Sequence, residues 1–330
     1  MRALDLSSGV VTWEGAVSVE QNDGWWQAWR VPYEEADLFP PLALNGKAAQ
    51  STGVRLTFTS DTDSVGIKMR EAEADYKLDM VCDGELIETQ VIKAKQTEAA
   101  FACLPAGEKR VEVYLPQQAF RLAGLEIGDR ASAAKFEDQR PRWITYGSSI
   151  SNCATAASPA QTWPALVARA KDLHLTCLGF GGNCHAEAMI ARMIRDLPAD
   201  FISMKLGINI YGGGSLGPRT FQAAAIGMVK IARERHSGIP LVLGSPIFSP
   251  ARETTPNAVG LTLVEMRRQV KEAVEILQGH GDDRLYYVDG LALLGEADGE
   301  RLPDDLHPDA EGYRLIAERF EAEVSGQIGL

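Results

Sequence analysis

Two stretches far apart in the second half of the chain hold the residue types that acyl transfer needs. The run Arg142–Ser151 begins as a short apolar strand, Trp143–Tyr146, and stops at Gly147 and two serines. A glycine directly after a strand marks a tight turn or a close backbone approach. Near the C-terminus, Pro303-Asp304-Asp305-Leu306-His307-Pro308 sets an aspartate three residues before a histidine. A serine hydroxyl is a weak nucleophile and requires a base within hydrogen-bond reach. His307 can be that base, and Asp304 can hold its ring in the right tautomer and stabilise the imidazolium. Pro308 suits the first turn of a helix, which fixes His307 at a loop-to-helix junction. Asp289 before Gly290 is a rival acid, but the three-residue spacing favours Asp304. On residue type alone either Ser148 or Ser149 fits. The oxyanion of such a reaction needs preorganised donors. Gly182 offers a backbone N–H, Asn209 a side-chain N–H, and Ser149 its own backbone N–H.

The elements that must place these residues are legible as a β/α alternation after Pro141. Apolar strand candidates are Trp143–Tyr146, Leu173–Leu178, Phe201–Leu206, Leu241–Ser245 and Leu285–Val288. Helical patterns fall between them. Thr162 reads as an N-cap with Pro164 in the first turn. Later faces are Met189/Ile190/Met193/Ile194, Phe221/Ala225/Met228/Ala232, Leu263/Met266/Val270/Ala273/Leu277 and Tyr313/Ile316/Phe320/Val324. This alternation predicts a parallel sheet with helices on both faces, whose ligands bind at the carboxyl ends of the strands. The four candidate segments stand at those strand ends or at a helix start. Residues 1–130 read differently. Val54–Thr59, Ser64–Met69, Tyr76–Cys82, Glu88–Ile92 and Arg110–Leu115 are short runs punctuated by turn residues. Asp83-Gly84 is the best hairpin signal among them. They predict a β-sandwich of jelly-roll type. The expected organisation is a sandwich over 1–130, a linker over 131–140 and a catalytic domain over 141–330.

Taken together, the four segments resemble the SGNH (GDSL-type) hydrolases, named for a Ser, a Gly, an Asn and a His in successive blocks. The serine block of that family is usually Gly-Asp-Ser followed by Leu or Ile. Here it is Gly147-Ser148-Ser149-Ile150, which places the nucleophile at Ser149. Gly179-Phe180-Gly181-Gly182 matches the end of the glycine block, with Cys177 where Asn is common. Gly207-Ile208-Asn209-Ile210 matches the asparagine block with Ile210 in place of Asp. Asp304-Asp305-Leu306-His307-Pro308 matches the last block in full. The resemblance covers roughly residues 140–330. It implies a flavodoxin-like sheet of strand order 2-1-3-4-5, a Ser149–His307–Asp304 triad and an oxyanion hole from Ser149, Gly182 and Asn209. A sandwich followed by such a domain is similar to carbohydrate esterase family 2 and related acetylesterases.

The expected function is therefore a serine esterase for acetyl or other short-acyl esters, those of carbohydrates among them. The rival readings are a lipase, arylesterase, thioesterase or acyltransferase on the same triad, and a non-catalytic carbohydrate-binding protein. His185 and Tyr211, beside Gly182 and Asn209, are candidates for substrate contact. Cys184 is a less favoured thiol nucleophile, because most cysteines are buried and inert. Trp25, Trp26 and Trp29 are more often core than sugar platforms. No metal or cofactor motif is present, and serine acyl transfer requires neither. A net charge of −12 over 330 residues argues against nucleic acid or anionic membrane as a partner and leaves a small ester as the expected one. Five cysteines without paired spacing, and no apolar leader, point to a cytoplasmic protein.

Overall fold

A computed structural model of the chain describes residues 1–328. The chain divides into two compact units, Met1–Arg140 with Ala157–Thr176, and Pro141–Ala156 with Cys177–Leu330. The first is a β-sandwich of two antiparallel sheets. One runs Ser18–Asn22, Trp25–Trp29, Arg121–Ile127, Val65–Met69, Glu98–Phe101, with Arg2–Ala3 also paired to Arg121–Ile127. The other runs Ala133–Ala134, Arg55–Ser60, Lys109–Tyr114, Tyr76–Cys82, Glu85–Ile92, with Thr12–Glu14 also paired to Arg55–Ser60. Alternation along the strands aims Leu56, Phe58, Val65, Ile67, Phe101, Val111, Val113, Leu122 and Leu125 into one core. Asp83 and Gly84 both have positive φ (50° and 86°) and close a two-residue hairpin between Cys82 and Glu85. Part of the stretch expected to be a linker is integrated into this unit, through strand Ala133–Ala134 and the side chains of Asp138 and Arg140.

Those side chains belong to a buried ionic network. Arg55 pairs with Glu14 at 2.8 Å and with Glu112 at 3.3 Å, all three 4% exposed or less. Arg140 grips both oxygens of Glu14, at 2.7 and 2.6 Å, and Asp138 at 2.7 Å. His174 Nδ1 meets the other Asp138 oxygen at 2.7 Å. Ligand atoms of Glu14, Asp138 and His174 lie within 4.8 Å of one another, but Arg140 already supplies both carboxylates with positive charge.

The second unit contains the α/β fold. Its strands are β1 (Arg142–Gly147), β2 (His174–Gly179, which begins in the first unit), β3 (Phe201–Lys205), β4 (Leu241–Gly244) and β5 (Leu285–Val288). They form one sheet in the order β2-β1-β3-β4-β5, and the pairs β1–β3, β3–β4 and β4–β5 are parallel. This is the 2-1-3-4-5 order of a flavodoxin-like sheet. The strands are apolar on both faces because helices cover both. Helix α1 (Ser149–Asn152) follows β1, α2 (Ala188–Asp196) follows β2, and α3 (Ile208–Gly213) follows β3. Helices α4 (Phe221–Arg233), α5 (Leu263–Gly279) and α6 (Ala310–Ile328) bury the apolar stripes read from the sequence; in α2, Met189 of that stripe is only half-buried. Trp143 on β1 stacks on Phe201 of β3 at 5.7 Å and on Phe320 of α6 at 5.6 Å. Rings of this size bury about 150–250 Å² each. No described helix is long and apolar enough to cross a membrane.

The ionic network yields a stability prediction. Arg55→Met leaves Glu14 and Glu112 with one cation fewer in a buried setting. Removing one partner of a buried pair costs about 3–5 kcal/mol. The transition of the first unit in urea, followed by tryptophan fluorescence, is expected to fall by that amount. A change below about 1 kcal/mol would mean that solvent already compensates these charges.

Candidate active site

β1 ends at Gly147, and the chain turns at once into α1. Ser148 is the N-cap, its Oγ accepting the Ile150 N–H at 3.2 Å, and it is 1% exposed. Its hydroxyl is thus committed to the helix start. Ser149, one residue on, is half-buried and turns its Oγ toward His307. The turn packs hard on β2. A Cβ at Gly179 would stand 2.5 Å from Asn152 N and 2.6 Å from Ser151 C, so any side chain there displaces the serine-bearing helix.

His307 Nε2 lies 2.9 Å from Ser149 Oγ, and its Nδ1 lies 2.7 Å from Asp304 Oδ2. The ionised carboxylate can only accept, so Nδ1 carries the ring proton and Nε2 faces the serine with a lone pair. Asp304 Oδ1 also accepts the backbone N–H groups of Leu306 (3.1 Å) and His307 (2.6 Å). Desolvation pushes this carboxyl up, but the hydrogen bonds from the His307 ring and from the two amides together outweigh it and hold it at about 2. The loop is pinned from outside. Asp305 has φ +60°, and its carbonyl accepts from Ser249 Oγ (2.6 Å) and Arg252 (3.1 Å). Thr155 Oγ1 donates to the Pro308 carbonyl at 2.8 Å. The ring and its acid stay reachable by water, with His307 33% and Asp304 54% exposed.

The three donors expected from the sequence stand at the ends of adjacent strands. The order β2-β1-β3 sets the Gly179–Asn183 loop on one side of Ser149 and Asn209 on the other. Phe180 N–H to Gly147 O, 2.8 Å, ties the first loop to β1. Cys184 N–H donates to Asn209 Oδ1 at 3.1 Å, so the amide of Asn209 must present its Nδ2 elsewhere. Among the described residues the Ser149 N–H, the Gly182 N–H and Asn209 Nδ2 donate to no protein acceptor. Free donors next to a saturated network are what a developing oxyanion needs.

The other residues singled out from the sequence have these places. His185 Nδ1 is 2.7 Å from Ser215 Oγ and Nε2 is 3.0 Å from the Gly182 carbonyl. Tyr211 donates its hydroxyl to the Thr255 carbonyl at 3.0 Å, and its own carbonyl accepts from Asn257 at 2.9 Å. Cys184 is 1% exposed, its thiol donates to the Lys205 carbonyl, and burial pushes that thiol far up, away from thiolate chemistry. Asp289 accepts the Leu291 N–H as the cap of Gly290–Leu293. Thr155, Ser249 and Arg252, which hold the Asp304–His307 loop, carry no signal in the sequence. They contribute single bonds to backbone carbonyls, and many residue types can do that.

The fold and these strand-end loops define an acyl-transferring hydrolase. The family model of the GDSL-like lipase/acylhydrolase family matches residues 140–325, and the chain belongs to that family. A second model, the SsfX3 N-terminal domain, matches residues 11–122. Among solved structures, a salicylyl-acyltransferase from a tetracycline biosynthetic pathway, SsfX3, is 37% identical over 98% of this chain and 97% of its own, with a TM-score of 0.92. A GDSL-like lipase from Bacteroides ovatus is 21% identical over 97% and 98%, TM-score 0.78. A family two carbohydrate esterase from Clostridium thermocellum is 14% identical over 97% and 98%, TM-score 0.67. The last two share the fold. No curated protein matches the chain.

One charged side chain near the site has no partner. Lys205, the last residue of β3, lines a small cavity with Ser148, Ile150, Leu206, Ile208, Phe248 and Leu306. No hydrogen bond or ion pair engages its ammonium among the described residues. Burial holds it down to about 8, with Cys153 and Cys184 offsetting part of the shift. A lysine depressed in the folded state binds fewer protons there than when unfolded. Stability therefore rises with pH between about 8 and the ordinary value of 10.5, and the full penalty applies below 8. Lys205→Met is expected to stabilise the protein at pH 7 by roughly 1–3 kcal/mol. The gain should vanish as pH approaches 10.5. Denaturant unfolding of both proteins at pH 7 and 10 checks this, and a gain independent of pH would refute it.

Proposed function

We propose that this protein is a serine carboxylic-ester hydrolase that works through an acyl-enzyme on Ser149. The observation that carries the reading is the His307 ring, bonded to Ser149 Oγ on one edge and to Asp304 on the other. Ser149 Oγ attacks the ester carbonyl as its proton passes to His307 Nε2. Asp304 orients the ring and stabilises the imidazolium. The tetrahedral oxyanion takes hydrogen bonds from Ser149 N–H, Gly182 N–H and Asn209 Nδ2. His307 then protonates the leaving alcohol, the C–O bond breaks, and Ser149 is left acylated. Water enters, gives a proton to His307, and attacks the acyl carbonyl. Collapse returns that proton to Ser149 and releases the acid.

Acetyl and other short-acyl esters are the proposed substrates, carbohydrate esters among them. The cavity beside the site is small, with Ile150, Leu206, Ile208, Phe248 and Leu306 among its walls beside Lys205 and Ser148, which supports a small acyl group. The resemblance in fold to carbohydrate esterases supports the sugar alcohol as leaving group. A second reading has one observation in its favour. The 37% identical relative is an acyltransferase, and transfer needs only that an alcohol take the place of water. The exposure of His307 and Asp304 lets water reach the base and favours hydrolysis.

Turnover of p-nitrophenyl acetate, butyrate and octanoate tests the reading. Rates are expected to fall with chain length. Ser149→Ala should lose about 10⁴-fold or more in kcat. Asp304→Asn should lose about 10²–10⁴-fold and Asn209→Ala about 10²–10³-fold. Undiminished hydrolysis by Ser149→Ala would place the nucleophile elsewhere. With an alcohol such as glycerol added, acid is expected to remain the main product. Ester as the main product would move the transferase reading to the front.

A further inference from the structure

We infer that His185 is a positioning residue for the oxyanion site, holding the N–H of Gly182 in its working direction through the Gly182 carbonyl. The inference rests on the acyl-enzyme reading above and assigns a role that the reaction scheme leaves open.

Gly182 has φ +74°, a conformation that costs glycine little and that glycine also leaves easily. The direction of its N–H depends on the two peptide planes that meet at its Cα. The plane joining Gly181 to Gly182 carries the donor itself. Its carbonyl, Gly181 O, accepts from Asn183 Nδ2 at 2.8 Å. The plane joining Gly182 to Asn183 is held at its N–H by Phe180 O, 2.9 Å, and at its carbonyl by His185 Nε2, 3.0 Å from Gly182 O. With both planes fixed, the N–H cannot swing. A carbonyl only accepts, so Nε2 carries a proton, and Nδ1 in the neutral ring accepts from Ser215 Oγ–H at 2.7 Å. The ring is thus anchored on the Gly-rich loop after α3. Its backbone is anchored too, since His185 N–H reaches the Glu187 carboxylate, which also accepts from Tyr146 OH at 2.6 Å. With both ring nitrogens engaged by protein, His185 acts through Gly182 and not on substrate. Hydrogen bonds in such a chain also polarise one another.

The test uses the full chain, p-nitrophenyl acetate and three variants, with kcat and KM measured separately and melting temperature alongside. His185→Ala is expected to lower kcat by about 10–100-fold, less than outright loss of a donor, with KM within about threefold. His185→Gln, whose amide N–H can reach the same carbonyl, should recover kcat to within about fivefold of wild type. Ser215→Ala should cost about two- to fivefold by loosening the ring. A merely structural histidine would make kcat track melting temperature, whereas a positioning role separates the Ala and Gln variants in kcat at equal melting temperature. Wild-type kcat in His185→Ala, a loss carried by KM, or a Gln variant no better than Ala would overturn the inference. Labelling of wild type with a fluorophosphonate, read by mass spectrometry, keeps the two readings apart. No label on Ser149 sinks the acyl-enzyme reading and this inference with it. Label on Ser149 with an unaffected His185→Ala sinks this inference alone.

Discussion

One imidazole has to accept at one nitrogen and donate at the other, and the second unit is built to hold it so. Ser149 and His307 lie 158 residues apart, yet their side chains meet at 2.9 Å. An error of about 1 Å in such a contact is worth about a hundredfold in rate. The sheet supplies part of that precision, by ending β1 at the serine and aiming α6 from the histidine side. The rest comes from bonds to the loop itself. Asp304 spends one oxygen on the ring and the other on two amides of the same turn, so the acid and the backbone that carries His307 move as one piece. Asp305 sits at φ +60°, a conformation most residues avoid, and its carbonyl is held by Ser249 and Arg252. Ser249 N–H in turn bonds Glu253, which pairs with Arg267 on α5. The aspartate–histidine turn is therefore braced against a long helix.

The oxyanion side follows the same logic with the opposite result. Among the described residues the Ser149 N–H, the Gly182 N–H and Asn209 Nδ2 have no protein acceptor, and they belong to three neighbouring strand ends. A parallel sheet of order 2-1-3 makes that juxtaposition natural, because the crevice opens where the chain leaves strand 1 for opposite sides. The amide of Asn209 could face either way. Cys184 N–H removes the choice by claiming its oxygen, and so the glycine loop orients the asparagine. The glycine loop and the helix that carries Asn209 are joined by that hydrogen bond.

Much of this was legible in the chain. The β/α rhythm after Pro141 and the buried faces of α4, α5 and α6 follow from apolar periodicity, which burial enforces residue by residue, whereas the strand order was implied by the family resemblance. The four blocks were legible because each has a fixed backbone demand, such as a glycine pressed against Asn152 or an aspartate that must cap its own turn. The hairpin Ser18–Asn22 to Trp25–Trp29 was not read, since consecutive tryptophans hide the alternation of a strand in which Trp26 and Ala28 face the core. Nor was the partition of the chain legible around Ala157–Thr176, which groups with the first unit. It is held by long-range bonds, Asp79 to Ala160 N–H at 2.6 Å and Arg55 to Leu175 O at 3.1 Å, and no local pattern records these. Ser249 and Arg252 were invisible for the same reason.

The departures from the usual motif show how function can drift on this frame. Ser148 stands where the family commonly has aspartate, and it still caps α1 through its hydroxyl. Ile210 stands where aspartate often follows Asn209, and it is fully buried. Ser148 lines a small cavity with Lys205, whose ammonium has no ion-pair partner among the described residues. Neither change alters Ser149, His307, Asp304, Gly182 or Asn209. The rim is similarly independent of the triad, because Tyr211, Thr255 and Asn257 bond mainly to backbone carbonyls of one another's loops. Residues of those loops and of the cavity can therefore change while the His307 bridge stays intact. On the proposed acyl-enzyme reading, the choice between water and an alcohol as acceptor falls to whatever shields the exposed edge of His307.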